Sequence, residues 1–422
     1  MASSQANSIS PQSLITEDHV KKVLETDKGS DAHLKSWKVV DFTTPGDNYG
    51  SVVTCVEVLF SKDNEDDCEV TYVVKLNPLK KIEGFPDLIP YYFSKEGKFY
   101  EEIVPALNER LISSGQKPLG FPKCFLVSLE DGKEQIYLED LRARDFKMFD
   151  RRKGLDEDHV ALVLAEVARL HAASYLLKKR VLNGAPAAEK YEFLSRDLLN
   201  FCPNGKEVFV PLFHSNIDTG IMMLEKVGGY ETAINWLKSF KPEVETVLST
   251  LMQSETFNTI CHGDCWNNNI LFRYDSEGRP IEVMLIDLQA CREASLACDL
   301  NYFLYTSVTG DVRRPNIDHF LSIYHSTYKA VLESDGIPMY FNEEELLEEF
   351  RGKNKVGLIF ALSVIPALLM EPSEIPGMED KDIETLMQEM RMIALDKLKT
   401  NPLCKPRYLS LFDEFMETGL IS

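Results

Sequence analysis

Alternating apolar and polar positions in the first third of the chain predict a small β-sheet. Three stretches with a period of two, rich in valine and aromatic residues, indicate strands at residues 37–42, 51–60 and 69–76. The acidic run 63–67 predicts a solvated turn between the last two strands. A helix is expected before them, because Thr16 suits an N-cap and acidic residues follow it. Two further strands are predicted at residues 124–129 and 135–138.

Helical spacing dominates the rest of the chain. One helix is expected within the sheet region, at residues 91–110, and another over 156–180 opens with acids and closes with bases, which complements the helix dipole. Residues 184–205, with two prolines, are expected to form a surface loop. Further helices are predicted at 230–251, 318–332, 343–370 and 381–398.

The order of these elements predicts an α+β protein with two lobes. We expect a leader and helix over residues 1–30, a small sheet lobe over 31–140, and a larger, mainly helical lobe over 141–422.

Charge and cysteine content narrow the classes of function. The 422 residues include 46 basic and 67 acidic side chains, for a formal net charge of -21. Because Lys and Arg must neutralise phosphates, this balance argues against a nucleic-acid or anionic-membrane binder. The nine cysteines show no paired spacing, residues 1–13 lack an apolar core, and the longest apolar run, 356–370, is too short to span a bilayer. A cytoplasmic protein with free thiols is expected.

Residues 261–272 carry the strongest chemical signal in the sequence. A His-Gly-Asp sequence ends at Asp264, Asn269 follows five residues later, and Asp287 ends an apolar strand. Phosphoryl transfer needs a carboxylate that orients the attacking hydroxyl and oxygen ligands that hold Mg²⁺ on the nucleotide phosphates. The pattern therefore predicts Asp264 as the catalytic carboxylate, and Asn269 and Asp287 as Mg²⁺ ligands. A turn over 274–278 would bring both ligands to the same end of a hairpin.

A lysine in the sheet region is a candidate for phosphate contacts. Lys75 lies near the end of a predicted strand, as the strand lysine of kinases does. Glu96, on the following helix, is the candidate partner that holds it. A strand lysine that faces solvent is the alternative.

Two other stretches of the sheet region suggest nucleotide contacts. The loop 44–51 contains Gly46, Asn48 and Gly50, and its glycines would let backbone N–H groups approach phosphates. An ordinary hairpin loop is the alternative reading. Residues 135–141 end the sheet at the position of a hinge that grips adenine, or are simply an acidic strand end.

Cysteine and histidine near the central motif offer metal-binding side chains. However, no second group of Cys or His completes a tetrahedral site beside Cys261 and Cys265. We therefore expect His262 to fasten the loop by hydrogen bonds, and His171 to be a hydrogen-bonded core histidine.

Together these motifs closely resemble the ecdysteroid kinase-like family of arthropods, also described as a choline-kinase-like domain. The resemblance rests on Cys261-His262-Gly263-Asp264-x-Trp266-x-Asn268-Asn269-Ile270-Leu271-Phe272, on Ile286-Asp287-Leu288-Gln289 and on Asp299-Leu300-x-Tyr302-Phe303-Leu304. It extends to Gly46-Asp47-Asn48-Tyr49, Val74-Lys75, Glu96-x-x-Phe99-Tyr100, Leu138-Glu139-Asp140-Leu141 and Leu170-His171-Ala172. The departures from the family pattern, which remove no catalytic group, are Cys265, Leu288 and Leu296.

The resemblance implies a bilobal protein-kinase-like fold and an ATP- and Mg²⁺-dependent activity. The γ-phosphate would pass to a hydroxyl of a small molecule, such as an ecdysteroid or a foreign compound. The sheet lobe, 31–140, would bind the nucleotide, and the helical lobe, 141–422, would contain the catalytic loop, metal site and substrate pocket. By this resemblance Lys75 contacts phosphates, Glu96 positions it, Glu139 and Leu141 offer hinge backbone, and Asp299 steadies the catalytic region. We expect a monomer that binds neither nucleic acid nor membranes.

Three alternatives remain open from the sequence. A choline, ethanolamine or aminoglycoside kinase would need an acidic or aromatic cage for its cationic acceptor. A catalytically silent nucleotide- or hormone-binding protein would keep the fold without turnover. A partner-binding scaffold would use the acidic surface, although such charge more often serves solubility.

Overall fold

The chain forms two compact units in the computed structural model, which describes residues 10–42, 51–63, 66–79, 87–196, 199–200, 205–371, 374 and 383–422. The first unit comprises the described residues of Met1–Glu101 and Pro122–Arg144. The second comprises those of Glu102–Phe121 and Asp145–Ser422. The stretch Glu102–Phe121 thus groups with the second unit.

The first unit is built on a five-stranded antiparallel sheet with the strand order β1-β2-β3-β5-β4. Its strands are β1 (Ala32–Asp41), β2 (Val52–Lys62), β3 (Cys68–Leu76), β4 (Cys124–Ser128) and β5 (Gln135–Glu139). Helix α1 (Glu17–Lys28) begins after Thr16, whose side-chain oxygen accepts a hydrogen bond from the N–H of His19. Apolar side chains of α1 pack on one face of the sheet, and Val23 of α1 shares a core with Tyr72 of β3. The five predicted strands and the capped helix are confirmed.

The helix predicted over residues 91–110 differs from the structure. Helix α2 (Leu88–Lys98) is followed by a π-helical turn, Phe99–Ile103, and α3 (Val104–Ser113) then continues in the second unit. Pro105 lies in the first turn of α3 and has no N–H to continue the α-helical ladder. The apolar spacing alone does not reveal this local widening.

The second unit is mainly helical. Its helices after α3 are α4 (Glu157–Arg180), α5 (Ala187–Lys190), α6 (Gly205–Val227), α7 (Glu231–Phe240), α8 (Val244–Thr250), α9 (Leu296–Ser307), α10 (Gly310–Ser334), α11 (Glu343–Gly352), α12 (Asn354–Leu368), α13 (Ile383–Thr400) and α14 (Cys404–Glu417). The single helix predicted over 343–370 is in fact two helices, separated at Lys353. Gly352 weakens the helix there, and the ammonium of Lys353 donates to the carbonyl of Gln253 (2.9 Å). The fold class is therefore α+β, with a small sheet unit and a larger helical unit, as predicted.

Helix α4 is long and apolar enough to cross a membrane by length and composition alone. However, 78% of its apolar window is buried inside the protein. Its N-cap, Asp156, accepts a hydrogen bond from the N–H of His159 (3.1 Å). This burial is the pattern of a core helix.

Two small antiparallel sheets in the second unit position the candidate site. Strands β6 (Lys147–Met148), β8 (Ile270–Tyr274) and β9 (Pro280–Leu285) form one sheet, and β7 (Asn258–Cys261) pairs with β10 (Arg292–Ser295). Strands β8 and β9 form the predicted hairpin, with Ile270 opposite Leu285. The residues that immediately precede β8 and follow β9 therefore lie at the same end of the hairpin.

Candidate active site

The loop after β7 is held by a buried carboxylate from α9. Asp299 accepts hydrogen bonds from the N–H groups of His262 (2.7 Å) and Gly263 (2.9 Å), and from Nε2 of His171 (3.2 Å). Burial alone would raise the pKa of Asp299, but the hydrogen bond and charge of His171, with further donors, hold the pKa below its usual range. Asp299 thus fixes the backbone that leads to Asp264, which is the steadying role that the resemblance implies.

Gly263 allows the sharp turn of this loop. Its φ of +82° is in the left-handed region. A Cβ at this position would lie 2.1 Å from the carbonyl oxygen of Ala290. The turn therefore requires glycine for both its backbone angle and its close approach to a neighbouring strand connection.

His262 connects the two segments that carry the candidate catalytic and metal-binding residues. Its Nδ1 accepts a hydrogen bond from the N–H of Asp264 (3.3 Å), and its Nε2 donates to the carbonyl of Ile286 (3.1 Å). Burial lowers the pKa of His262, so the neutral ring is favoured and each nitrogen has a defined role. The histidine fastens the loop, as the sequence predicts.

The carboxylate of Asp264 is held from both sides. Its Oδ1 accepts a hydrogen bond from the hydroxyl of Tyr302 (2.5 Å), and its Oδ2 accepts one from Nδ2 of Asn269 (2.9 Å). Burial, and next the negative charge of Asp287, raise the pKa of Asp264 to about 7. A partly exposed carboxylate with a pKa near neutrality suits general-base work.

Asn269 and Asp287 lie next to the two strands at the same end of the β8–β9 hairpin. The N–H of Ile286 donates to the carbonyl of Asn269 (3.0 Å), which extends the ladder to the residues beside both side chains. Because Nδ2 of Asn269 donates to Asp264, its Oδ1 is left as an oxygen donor on the other side of the amide. Asp287 is close enough for its charge to act on the pKa of Asp264. These oxygens suit a hard divalent cation such as Mg²⁺, which would relieve the repulsion between the two carboxylates.

In the first unit, Lys75 and Glu96 form a buried ion pair. Lys75 lies at the end of β3 and Glu96 lies on α2, and the distance between Nζ and Oε2 is 2.5 Å. The lysine is therefore held by the partner that the sequence predicts, rather than facing solvent. Its contact with nucleotide phosphates stays a prediction.

The sequence predicts further nucleotide contacts at Glu139 and Leu141, and at three residues between 44 and 51. The N–H of Glu139 donates to the carbonyl of Lys123 (2.8 Å), and the buried Leu141 begins a 3₁₀ turn. Outside the described residues lie Gly46, Asn48 and Gly50.

Two residues of the site, Tyr302 and Arg292, were not predicted as functional residues from the sequence. Tyr302 appeared only as part of a family motif, although its position three residues after Asp299 places both on one face of α9. Arg292 is 3% exposed and lies opposite Cys261 in the β7–β10 pair. Its positive charge counteracts the rise in the pKa of Asp264 that burial and Asp287 cause. No motif identifies Arg292, because its relation to Asp264 depends on the strand pairing.

Comparison with known protein families places this site in context. The model of the ecdysteroid kinase-like family matches residues 45–336, which is more than half of the chain. The chain belongs to the ecdysteroid kinase-like family. The matched range includes residues 262–302, which contain the side chains of the candidate catalytic site. A comparison with curated protein sequences gave no significant match.

Solved structures show distant similarity to this ecdysteroid kinase-like chain. An ethanolamine kinase of Plasmodium vivax is 12% identical, with 93% of this chain and 87% of that chain covered and a TM-score of 0.44. A microcompartment-associated aminopropanol kinase is 11% identical, with 96% and 99% covered and a TM-score of 0.40. Similarity at this level carries no argument about function.

Proposed function

We propose that this chain is an ATP- and Mg²⁺-dependent small-molecule kinase that transfers the γ-phosphate to a hydroxyl of an ecdysteroid or another lipophilic alcohol. The observation that carries the proposal is the Asp264 carboxylate, held between the Tyr302 hydroxyl and the Asn269 amide beside Asp287. Membership of the ecdysteroid kinase-like family supports the class of reaction and suggests the class of acceptor.

In this proposal Asp264 is the catalytic base. One of its oxygens accepts the proton of the acceptor hydroxyl, whose oxygen forms a bond to the γ-phosphorus while the bond to the ADP oxygen breaks. Oδ1 of Asn269 and the carboxylate of Asp287 would hold Mg²⁺. The ion supplies positive charge that neutralises the nucleotide phosphates. His262 and Asp299 keep the loop that carries the base in place.

Residues of the first unit are proposed to bind the nucleotide. Lys75, held by Glu96, contacts the α- and β-phosphates, as the strand lysine of kinases does. The backbone of Gly46, Asn48 and Gly50 contacts the phosphates in this proposal. The backbone of Glu139 and Leu141 contacts adenine.

We also propose a monomeric enzyme in the cytoplasm. Every cysteine in the described part of the chain is a free thiol, which suits a reducing compartment.

The proposal is tested by phosphotransfer from ATP labelled in the γ-phosphate. The acceptor panel contains ecdysteroids, choline and plant phenolics, and wild type is compared with Asp264→Asn. We expect label on at least one ecdysteroid, and loss of transfer in Asp264→Asn with ATP binding retained in calorimetry.

Other outcomes of the same assay separate the alternatives. Label on choline alone would indicate a kinase for cationic acceptors. ATP binding without turnover on any acceptor would indicate a silent binding protein. Full transfer by Asp264→Asn would contradict the assigned base.

A further inference from the structure

One face of α9 underlies the whole loop that carries the catalytic carboxylate. Asp299 accepts hydrogen bonds from the N–H groups of His262 and Gly263. Oγ of Ser307 accepts a hydrogen bond from the N–H of Asn267 (3.0 Å). Between these two contacts along the helix lies Tyr302, three residues after Asp299. Side chains three residues apart in a helix point to the same side. The helix therefore anchors the loop backbone before and after Asp264. Tyr302, which lies between the two anchoring residues, contacts the side chain of Asp264.

Packing fixes the position of the Tyr302 hydroxyl. The Tyr302 side chain belongs to a residue that is only 6% exposed, and its ring lies 4.8 Å from the ring of Phe360 on α12. Oγ1 of Thr306 also donates to the backbone carbonyl of Tyr302 (2.7 Å). The ionised carboxylate only accepts, so the phenol donates its proton to Asp264 when Asp264 is charged and can act as a base. The hydroxyl is thus presented to Asp264 from a rigid surface.

The carboxylate depends on outside contacts for its orientation. Rotation about the last torsion of an aspartate side chain is soft and broadly two-fold. Tyr302 holds Oδ1 and Asn269 holds Oδ2, so the two donors act on different oxygens and select one orientation. Without the phenol, Asn269 alone would restrain one oxygen, and the plane of the carboxylate would be free to turn.

We propose that Tyr302 is a positioning residue that fixes the orientation of the Asp264 carboxylate toward the acceptor hydroxyl. It acts through Asp264 and does not itself touch the reacting atoms. The proposal rests on the kinase function proposed above. It adds that catalysis depends on a phenol 38 residues away in the sequence from the base.

The test compares Tyr302→Phe with a matched control, Tyr305→Phe. Tyr305 is also buried on α9, but its hydroxyl donates to Glu414 (3.2 Å) on α14. We expect Tyr302→Phe to lower kcat by about 10- to 100-fold, with an unchanged KM for ATP and a chain that stays folded at the assay temperature, since a misoriented base slows the transfer step without weakening nucleotide binding. Tyr305→Phe is expected to keep the kcat of wild type. Equal kcat values for Tyr302→Phe and wild type, or equal losses in both variants, would overturn the proposal.

A measurement that needs no turnover separates this proposal from the proposed function. The chain is labelled with ¹³C at Cζ of tyrosine, and the resonance that disappears in Tyr302→Phe is assigned to Tyr302. That resonance is expected to move in Asp264→Asn, because the phenol then faces a neutral amide, and to stay in place in Asp131→Asn, a change in an exposed turn. If wild type phosphorylates no acceptor, the kinase function fails, and an unmoved Tyr302 resonance would separately refute the contact on which the positioning role depends.

Discussion

Replacement of Asp264 by asparagine tests the electrostatics of the site apart from its chemistry. The variant keeps the shape of the side chain. Its side-chain oxygen can accept a hydrogen bond from Nδ2 of Asn269, and its amide can donate one to the hydroxyl oxygen of Tyr302, so that the hydroxyl changes from donor to acceptor. Each side chain keeps one hydrogen-bond partner, and the removal of the negative charge is the main change.

The sign and size of the effect follow from the pKa of Asp264. Burial, followed by the charge of Asp287, raises this pKa from 3.8 to about 7. The folded chain therefore binds the proton more tightly than the unfolded chain, and ionisation of Asp264 costs stability as the pH rises from about 4 to about 7. The full shift corresponds to about 4 kcal/mol. Because Asp264 is partly exposed, we expect about 1 to 2 kcal/mol of this cost to remain.

Urea denaturation of the metal-free protein between pH 5 and pH 8 measures this cost. We expect Asp264→Asn to be more stable than wild type, by a margin that grows with pH and levels off above pH 7, while kcat falls by at least about 100-fold. Asp131→Asn, in an exposed turn, serves as the control and should show no such pH-dependent gain. A stability difference that is constant with pH, or that favours wild type at pH 8, would refute the electrostatic reasoning.

Three further predictions concern other parts of the structure. Gly263→Ala should lower the free energy of unfolding by about 2 kcal/mol or more, because its Cβ would lie 2.1 Å from the carbonyl oxygen of Ala290; unchanged urea midpoints would contradict this. Lys75→Met should cost about 3 kcal/mol, since it removes the cation that is paired with the buried carboxylate of Glu96, and adding Glu96→Leu should recover most of the loss in the same assay. Asp287→Asn should remove most of the rise in unfolding temperature that Mg²⁺-ATP gives wild type, and an equal rise in the variant would exclude Asp287 as a metal ligand.

Local sequence signals account for much of the fold. Thr16 caps α1 because the cap depends on a side chain and an N–H group only three residues apart. The β8–β9 hairpin follows from two apolar runs and a polar turn, and it determines that Asn269 and Asp287 share one end. The motif also predicts Asp264 as the base, because the offset between Asp264 and the predicted ligand Asn269 is a short distance along the chain.

Features that depend on distant contacts were not predictable. Tyr302 lies 38 residues from Asp264 in the sequence, so its hydroxyl contact depends on how α9 packs beneath the loop. Arg292 reaches the site only through the pairing of β10 with β7. The division of the predicted 343–370 helix at Lys353 depends on a carbonyl of Gln253, which lies far earlier in the chain. Periodicity reports which face of an element is apolar, and it does not report which partner that face meets.

The backbone at Asp287 has a consequence for how natural variation at this site should be interpreted. Its φ of +66° is tolerated by glycine, asparagine and aspartate far better than by other side chains. Of these three, aspartate alone carries a negative charge. Given the metal-binding role proposed for Asp287, relatives that retain the architecture but have lost catalysis are expected to carry asparagine or glycine here, and a survey of this position in assayed relatives tests that role.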